Sequence, residues 1–231
     1  MALAIDEGGS CISGNDAPYT KLVIHSNNDD GSTTFVDSAA GSTTYTVTAV
    51  NSVHHETSVY KWGTSSIEFD PASADRLYVD AYDWNFGTGD FTMEMWARWK
   101  SDVASWMINY DSSHGWYYNG AGLIGFVDAT VPAIALTGAF TPVVGTWYYL
   151  SVERHGDILI GCVNGVSTFS VDLAGKTINW ADATSQILNI GRLSAGGVNA
   201  DWYLDEIAIN KGIAMYSGAA LYEVPYGPYC D

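Results

Sequence analysis

The feature that most constrains this chain is the repeated alternation of apolar and polar residues in short segments separated by Gly, Asn, Asp and Ser. In residues 91–99, FTMEMWARW, every second position is apolar, and a β-strand places such positions on one face. Asn164-Gly165, between two apolar runs, predicts a tight hairpin because both residues accept positive φ. Helical patterns are nearly absent, and the one short candidate lies around residues 211–217. The pattern predicts an all-β protein.

Some dozen predicted strands follow one another without a linker, which indicates a single sandwich or barrel rather than several domains. Two similar segments, 31–35 and 41–45, are interpreted as neighbouring turn-to-strand entries rather than as a solenoid repeat. The predicted strands are residues 21–25, 45–50, 65–69, 77–80, 91–99, 105–110, 122–127, 133–137, 147–154, 158–163, 166–171, 186–190 and 202–209.

Composition excludes several classes of protein. An apolar fraction of 47% and an aromatic fraction of 13% are too high for a disordered chain. The 26 acidic residues outnumber nine basic ones and give a net charge of −17, which repels phosphate backbones and anionic lipid. We therefore expect no nucleic-acid partner.

The N-terminal residues, the longest uncharged stretch and the cysteines indicate in which cellular compartment the chain is expected. Residues 1–10 contain two acidic residues and no basic one, unlike a signal peptide. The longest uncharged stretch, 129–152, is divided by Pro and Gly, so we expect a soluble chain without membrane insertion. Cys162 lies in an apolar strand and is interpreted as a core residue. A bridge between Cys11 and Cys230, near opposite ends, is left open.

Five segments carry a family resemblance, in chain order. The strongest is NFGTGDFTMEMW at residues 85–96, and the others are 24–38, KWGTSSIEFD at 61–70, 147–154 with VNG at 163–165, and DEIAINKGIAMY at 205–216. Together they resemble the concanavalin A-like lectin/glucanase superfamily, in its laminin-G-like branch. The resemblance runs from about residue 20 to 225 and implies a jelly-roll sandwich of two antiparallel sheets. We assign residues 1–18 to an N-terminal arm, 19–226 to the laminin-G-like domain and 227–231 to a C-terminal tail.

Superfamily members include glycanases, which raises the question of catalysis. Retaining glycosidases need two carboxylates about 5–5.5 Å apart, which one strand supplies at positions i and i+2. Among the acidic residues only Glu68 and Asp70 have that spacing, and no third carboxylate follows them. No Gly-x-Ser-x-Gly segment occurs, and the five histidines show no triad or metal spacing. The sequence predicts no enzyme, and a glucanase-type glycan hydrolase or depolymerase is the alternative.

The resemblance implies possible calcium binding, because jelly rolls of this superfamily often hold Ca²⁺ with Asp, Asn and backbone oxygens. Ca²⁺ takes six to eight oxygen ligands. The candidate ligands are Asn27, Asp30, Asp37 and Asp205. Asn27 stands where the family has an aspartate, which removes one charge. The alternative is that these side chains only stabilise turns in solvated loops.

Aromatic side chains are the natural candidates for ligand binding, because sugar rings stack their C–H faces on Trp and Tyr. The densest aromatic stretch is residues 106–118, in which residues 111–115 are expected to form a loop. The predicted ligand-binding residues are His114, Trp116, Tyr118 and, in a second loop, Trp180. The alternative is that these aromatics fill the ends of a large sandwich.

Single-domain chains that resemble this family and lack a signal peptide are common among bacteriophage virion proteins. Assembly in the host cytoplasm followed by lysis is compatible with three cysteines that stay reduced. The predicted function is non-catalytic: a virion component that binds host-surface glycan as a tail adhesin or decorates the particle as a capsid cement protein. The expected partners are glycan or other virion proteins, with homo-oligomerisation left open. The expected location is the virion, extracellular after lysis.

Overall fold

The computed structural model describes residues 18–39, 44–80, 84–111, 113–129, 134–180, 187–193, 198–225 and 227–229. These residues form sixteen strands and no helix. The strands are β1 Thr20–Ile24, β2 Thr34–Val36, β3 Thr46–Val50, β4 His54–Glu56, β5 Ser66–Phe69, β6 Arg76–Asp80, β7 Phe91–Trp99, β8 Ser105–Asn109, β9 His114–Tyr118, β10 Leu123–Asp128, β11 Ile134–Ala139, β12 Trp147–His155, β13 Ile158–Val163, β14 Val166–Asp172, β15 Ile187–Ile190 and β16 Trp202–Lys211.

The strands form two antiparallel sheets of eight. The first sheet has the order β14-β13-β12-β7-β16-β5-β4, with β1 also paired to β16, and the second has the order β11-β10-β9-β8-β15-β6-β3-β2. Strands distant in sequence are neighbours, as β7 and β16 are, which is the connectivity of a sandwich rather than of a chain of hairpins. The predicted all-β jelly-roll sandwich is confirmed.

Most predicted strands are observed within one or two residues, whereas three observed strands lie outside the predicted set. These are β2, β4 and β9, which are short or interrupted by polar residues and glycine, so their alternation is weak. Residues 111–115 were expected to be a loop, but β9 begins at His114. The helical candidate at 211–217 is wrong, because these residues form the end of β16 and turns.

The core between the sheets combines aliphatic side chains with several large aromatic rings. Trp99 on β7 packs edge-on against Trp202 on β16 at 5.3 Å between ring centroids, and Phe126 on β10 stacks with Trp180 at 5.8 Å. All four side chains are buried. Burying rings of this size contributes much of the hydrophobic stabilisation.

The predicted Asn164-Gly165 hairpin is confirmed. It joins β13 to β14, and its residues have φ of 50° and 75°, as a type I′ turn requires. Cys162, near the end of β13, is a buried free thiol, and burial raises its pKa to about 12. Cys11 and Cys230 lie outside the described residues.

The C-terminal segment, residues 213–225 and 227–229, crosses the outer face of the first sheet. The carboxylate of Glu94 on β7 is buried there and accepts hydrogen bonds from the hydroxyls of Tyr149, Tyr216 and Tyr229. Burial raises the pKa of Glu94. Tyr229, in the predicted C-terminal tail, is 5% exposed. None of the described residues belongs to a helix long and apolar enough to cross a membrane.

Candidate functional site

Three of the four predicted ligand-binding residues are inside the sandwich. Trp116, Tyr118 and Trp180 are each at most 1% exposed. In the structure these three rings are enclosed in the sandwich and offer no free face to a sugar. His114 is partly exposed at the start of β9, where its Nδ1 lies 2.7 Å from the carboxylate of Asp111.

The opposite face of the same strand carries a partly exposed aromatic ring. Side chains alternate along a strand, so with Trp116 and Tyr118 inside, Tyr117 points outward. Tyr117 pairs across strands with Trp106 on β8, and the two ring centroids are 5.2 Å apart with planes at 36°. Both rings are partly exposed. We call Trp106 and Tyr117 the aromatic platform.

Two glycines hold the aromatic platform close to the sheet. A Cβ on Gly115 would lie 2.8 Å from Trp106 Cζ3, and one on Gly125 would lie 3.0 Å from Tyr117 Oη. Both distances are shorter than van der Waals contact, so the rings lie over backbone that only glycine leaves bare. The closest atom to a Cβ on Gly125 would be Leu136 O, and a Cβ on Gly115 would lie 2.7 Å from Ile108 O. The two glycines therefore permit close backbone packing as well as the approach of the rings.

The residues paired with Tyr117 across the sheet carry no charge. Tyr117 pairs with Gly125, which pairs with the exposed Thr137 on β11. Burial raises the pKa of Tyr117, so its hydroxyl remains a neutral donor and acceptor at ordinary pH. Two half-buried rings beside hydroxyl groups are suited to stacking on a sugar ring and hydrogen bonding its edge.

The predicted calcium ligands are already engaged with backbone amides. The two oxygens of Asp37 accept N–H groups from Val23, Ala39 and Tyr45, and Asp205 Oδ2 accepts those of Lys61 and Trp62. These contacts hold loops in place.

The two remaining predicted ligands make similar contacts. Asn27 Oδ1 accepts from the N–H of Thr64, and Asp30 accepts from the N–H of Thr57. Among the described residues, Asp30, Asp37 and Asp205 do not form a group with donor atoms within 4.8 Å of one another. The structure therefore does not bring these three aspartates together, and calcium binding itself stays a prediction.

The two candidate catalytic carboxylates, Glu68 and Asp70, make separate structural contacts. Glu68 forms an ion pair with Lys100 at 2.8 Å, whereas Asp70 accepts the N–H of Ala72 in the turn after β5. Glu94 and Glu153 lie on neighbouring strands, but both are buried beneath the C-terminal segment. Each of these carboxylates has a structural partner.

The outer face of the first sheet carries a second polar surface. Five half-buried residues in register across five adjacent strands form what we call the charged row: Trp147, Arg98, Tyr203, Glu68 and His54. Lys100 Nζ lies 5.3 Å from the Tyr203 ring centroid and Arg98 Cζ lies 5.9 Å from it. The C-terminal segment leaves this part of the face partly exposed.

Solved structures share the fold at low sequence identity. Domain 4 of AbnA, a GH43 extracellular arabinanase from Geobacillus stearothermophilus, solved in complex with arabinotriose, matches with a TM-score of 0.63 and 14% identity, over 87% of this chain and 97% of that one. The receptor binding domain of botulinum neurotoxin D matches with a TM-score of 0.61 and 13% identity, over 87% of this chain and 50% of that one. This chain thus spans about half the length of that domain.

A further match is a putative carbohydrate binding protein from Bacteroides ovatus, with a TM-score of 0.52, 11% identity, and coverage of 78% of this chain and 57% of that one. No curated protein sequence matches the chain significantly. The laminin G model of the concanavalin A-like lectin/glucanases superfamily matches residues 73–213, which is more than half of the chain. The chain therefore belongs to the concanavalin A-like lectin/glucanases superfamily.

Proposed function

We propose that this chain is a non-catalytic carbohydrate-binding module that stacks a neutral glycan on the aromatic platform. The observation that carries the proposal is the geometry of Trp106 and Tyr117: two partly exposed rings, 5.2 Å apart, lying over Gly115 and Gly125. Rings fixed in this way lose little conformational entropy when a ligand binds. The fold is shared with a domain solved in complex with arabinotriose, which supports the same class of ligand.

The chemistry of the aromatic platform favours an uncharged sugar. The C–H face of a pyranose or furanose ring is apolar and covers an aromatic ring, while its hydroxyls need hydrogen-bond partners at the edge. The Tyr117 hydroxyl and the exposed Thr137 supply such groups, and neither carries a charge. Neutral hydroxyls match a neutral glycan because no charge has to be desolvated on binding.

The carboxylates support a binding rather than a hydrolytic role. Glu94 and Glu153 accept hydrogen bonds from the C-terminal segment beneath which they are buried, and Glu68 is paired with Lys100. Incubation with polysaccharides is expected to release no reducing ends. Release that depends on Glu68 would establish the glucanase-type alternative instead.

The proposal predicts that Trp106→Ala abolishes most glycan binding. Losing one large aromatic contact removes about 1.5–3 kcal/mol, which corresponds to roughly a tenfold or larger loss of affinity. A glycan array identifies the ligand for the wild-type chain, and calorimetry with that ligand then measures both proteins. The array is performed with Ca²⁺ and with EDTA, and equal binding in both would remove calcium from glycan recognition.

The matched control is Trp147→Ala, which removes another half-buried tryptophan from the outer face of the other sheet. It is expected to leave affinity unchanged. Equal loss in both variants, or none in Trp106→Ala, would contradict the aromatic platform as the binding site. Absence of binding to any glycan by the wild-type chain would contradict the lectin proposal altogether.

We further propose that the glycan lies on a host cell surface and that the chain is part of a virion. The family resemblance in the sequence supports this context. Cryo-imaging of native particles with an antibody to the chain is expected to label the tail for an adhesin or the shell for a cement protein. Particles that lack the chain would remove the virion proposal and leave glycan binding unaffected.

A further inference from the structure

Three metal-binding side chains converge at the edge of the first sheet, on the surface opposite to the aromatic platform. Strand β4 pairs with β5 so that His54 is opposite Glu68, and Glu56 lies two residues along β4 on the same face. One donor atom from each residue lies within 4.8 Å of the others. The adjacent His55 faces the interior and is 1% exposed, so it takes no part.

The hydrogen bonds of His54 determine which ring nitrogen is unprotonated and can bind a metal. Nδ1 lies 2.7 Å from the backbone oxygen of Ser52, and because a carbonyl oxygen only accepts, Nδ1 carries the proton. In the neutral ring, Nε2 is then the unprotonated atom, and it lies 3.4 Å from Glu68 Oε2. A histidine that donates through one nitrogen to a backbone carbonyl is oriented to bind a metal through the other.

We propose that His54, Glu56 and Glu68 bind a divalent cation of the zinc type. Zinc bonds to nitrogen and oxygen are about 2.0–2.1 Å long, so two ligands of a tetrahedral ion lie about 3.4 Å apart. His54 Nε2 and Glu68 Oε2 have this separation. An imidazole with two carboxylates suits zinc and its transition-metal neighbours better than Ca²⁺, which takes more ligands and prefers all of them to be oxygen.

In each of the two carboxylates, one oxygen also accepts a hydrogen bond from a neighbouring residue. Glu68 Oε1 accepts from Lys100 at 2.8 Å, and Lys100 is itself 3.3 Å from Asp201. Glu56 Oε1 accepts the N–H of Ser58 at 2.6 Å. These contacts orient the carboxylates in the manner of the outer partners of metal ligands. Because β4 is the edge strand and His54 and Glu56 are half-buried, water can reach the site to complete the coordination.

Calorimetric titration of the tag-free protein with ZnCl₂ tests the proposal, with one ion per chain as the expected result. His54→Ala and Glu56→Gln are each expected to lower the affinity at least about tenfold, the loss that even supporting groups produce. Glutamine at position 56 retains an oxygen that can accept from Ser58 N–H, so this variant keeps the local turn. His155→Ala, which removes an exposed histidine elsewhere, is the control and is expected to bind as the wild type does.

A second measurement separates loss of ligand from loss of fold. Zinc binding to the folded state raises the melting temperature of the wild type, and this shift is expected to disappear in His54→Ala without a change in the zinc-free melting temperature. Zinc affinity that is unchanged in His54→Ala, or absent in the wild type, overturns the proposal, as does CaCl₂ binding that zinc does not displace. Trp106→Ala is expected to keep zinc binding, so failure of the glycan proposal is distinguishable from failure of this one.

Discussion

Replacing Arg154 by Met is expected to lower the free energy of unfolding by about 3–5 kcal/mol. The Arg154 guanidinium is 0% exposed and donates to the backbone oxygens of Gly87, Gly156 and Lys176 at 2.8–2.9 Å. These oxygens belong to three different loops at one end of the sandwich. Methionine fills the space of the side-chain stem but removes all three hydrogen bonds, and a hydrogen bond to a charged group contributes about 1.5–3 kcal/mol. Gly87 O keeps the N–H of Ile178 as a partner, and Gly156 is exposed, so the loss stays below the sum of three full contributions.

Equilibrium unfolding in urea measures this change, with Arg98→Met as the matched control. Arg98 is half-buried and donates to one exposed backbone oxygen, that of Gly145, so its loss is expected to stay within about 1 kcal/mol. A loss below about 1 kcal/mol in Arg154→Met would show that water replaces the guanidinium and that the three loops do not depend on it.

Asp205→Asn is expected to make the protein more stable than the wild type at pH 8 and above. Burial, together with the neighbouring Glu206, raises the pKa of Asp205 to about 8. In the unfolded chain the pKa of an aspartate is about 3.9. The folded state thus binds this proton more tightly, and the stability that the protonated form contributes is present below about pH 4 and lost as pH rises to about 8.

Asparagine stays neutral at every pH. The difference in free energy of unfolding between variant and wild type should therefore grow by up to about 1.4 kcal/mol per pH unit across that window. Its side-chain oxygen can still accept the N–H groups of Lys61 and Trp62 that Asp205 binds. Urea unfolding between pH 4 and 9 gives the comparison. A variant less stable than the wild type at pH 8 would show that the ionised carboxylate is stabilising.

The matched control for this substitution is Asp37→Asn. Both oxygens of Asp37 accept backbone N–H groups, three in all, so the asparagine amino group would face a donor instead of an acceptor. We expect Asp37→Asn to lose about 1–3 kcal/mol at neutral pH. The same chemical change should therefore stabilise at one position and destabilise at the other.

Most of the sandwich was predictable because apolar and polar residues alternate within most of its strands. The long strands β7, β12 and β16 carry clear patterns and were predicted closely. Strand β4, with the sequence HHE, contains no apolar residue and gives no periodic signal, yet it forms because β5 offers an edge to pair with.

The partly exposed aromatic platform was missed because both sides of β9 carry aromatic residues. Alternation places Trp116 and Tyr118 together and Tyr117 opposite them, but it does not say which side faces the core. Gly115 and Gly125 are the signal in the sequence, because a glycine inside a strand often marks the close approach of another group. They show that something covers the backbone, without showing that it is Trp106 and Tyr117.

The sequence by itself determined the all-β sandwich, because alternation and turn chemistry act over a few residues. It indicated the superfamily through the five segments that resemble that family. Tertiary structure alone decided which aromatic rings reach the surface, since that depends on how β8, β9 and β10 pair. It also brought His54, Glu56 and Glu68 together and placed Glu94 beneath Tyr229, 135 residues away in the chain. Contacts between distant segments follow from the packing of two whole sheets, which no local pattern contains.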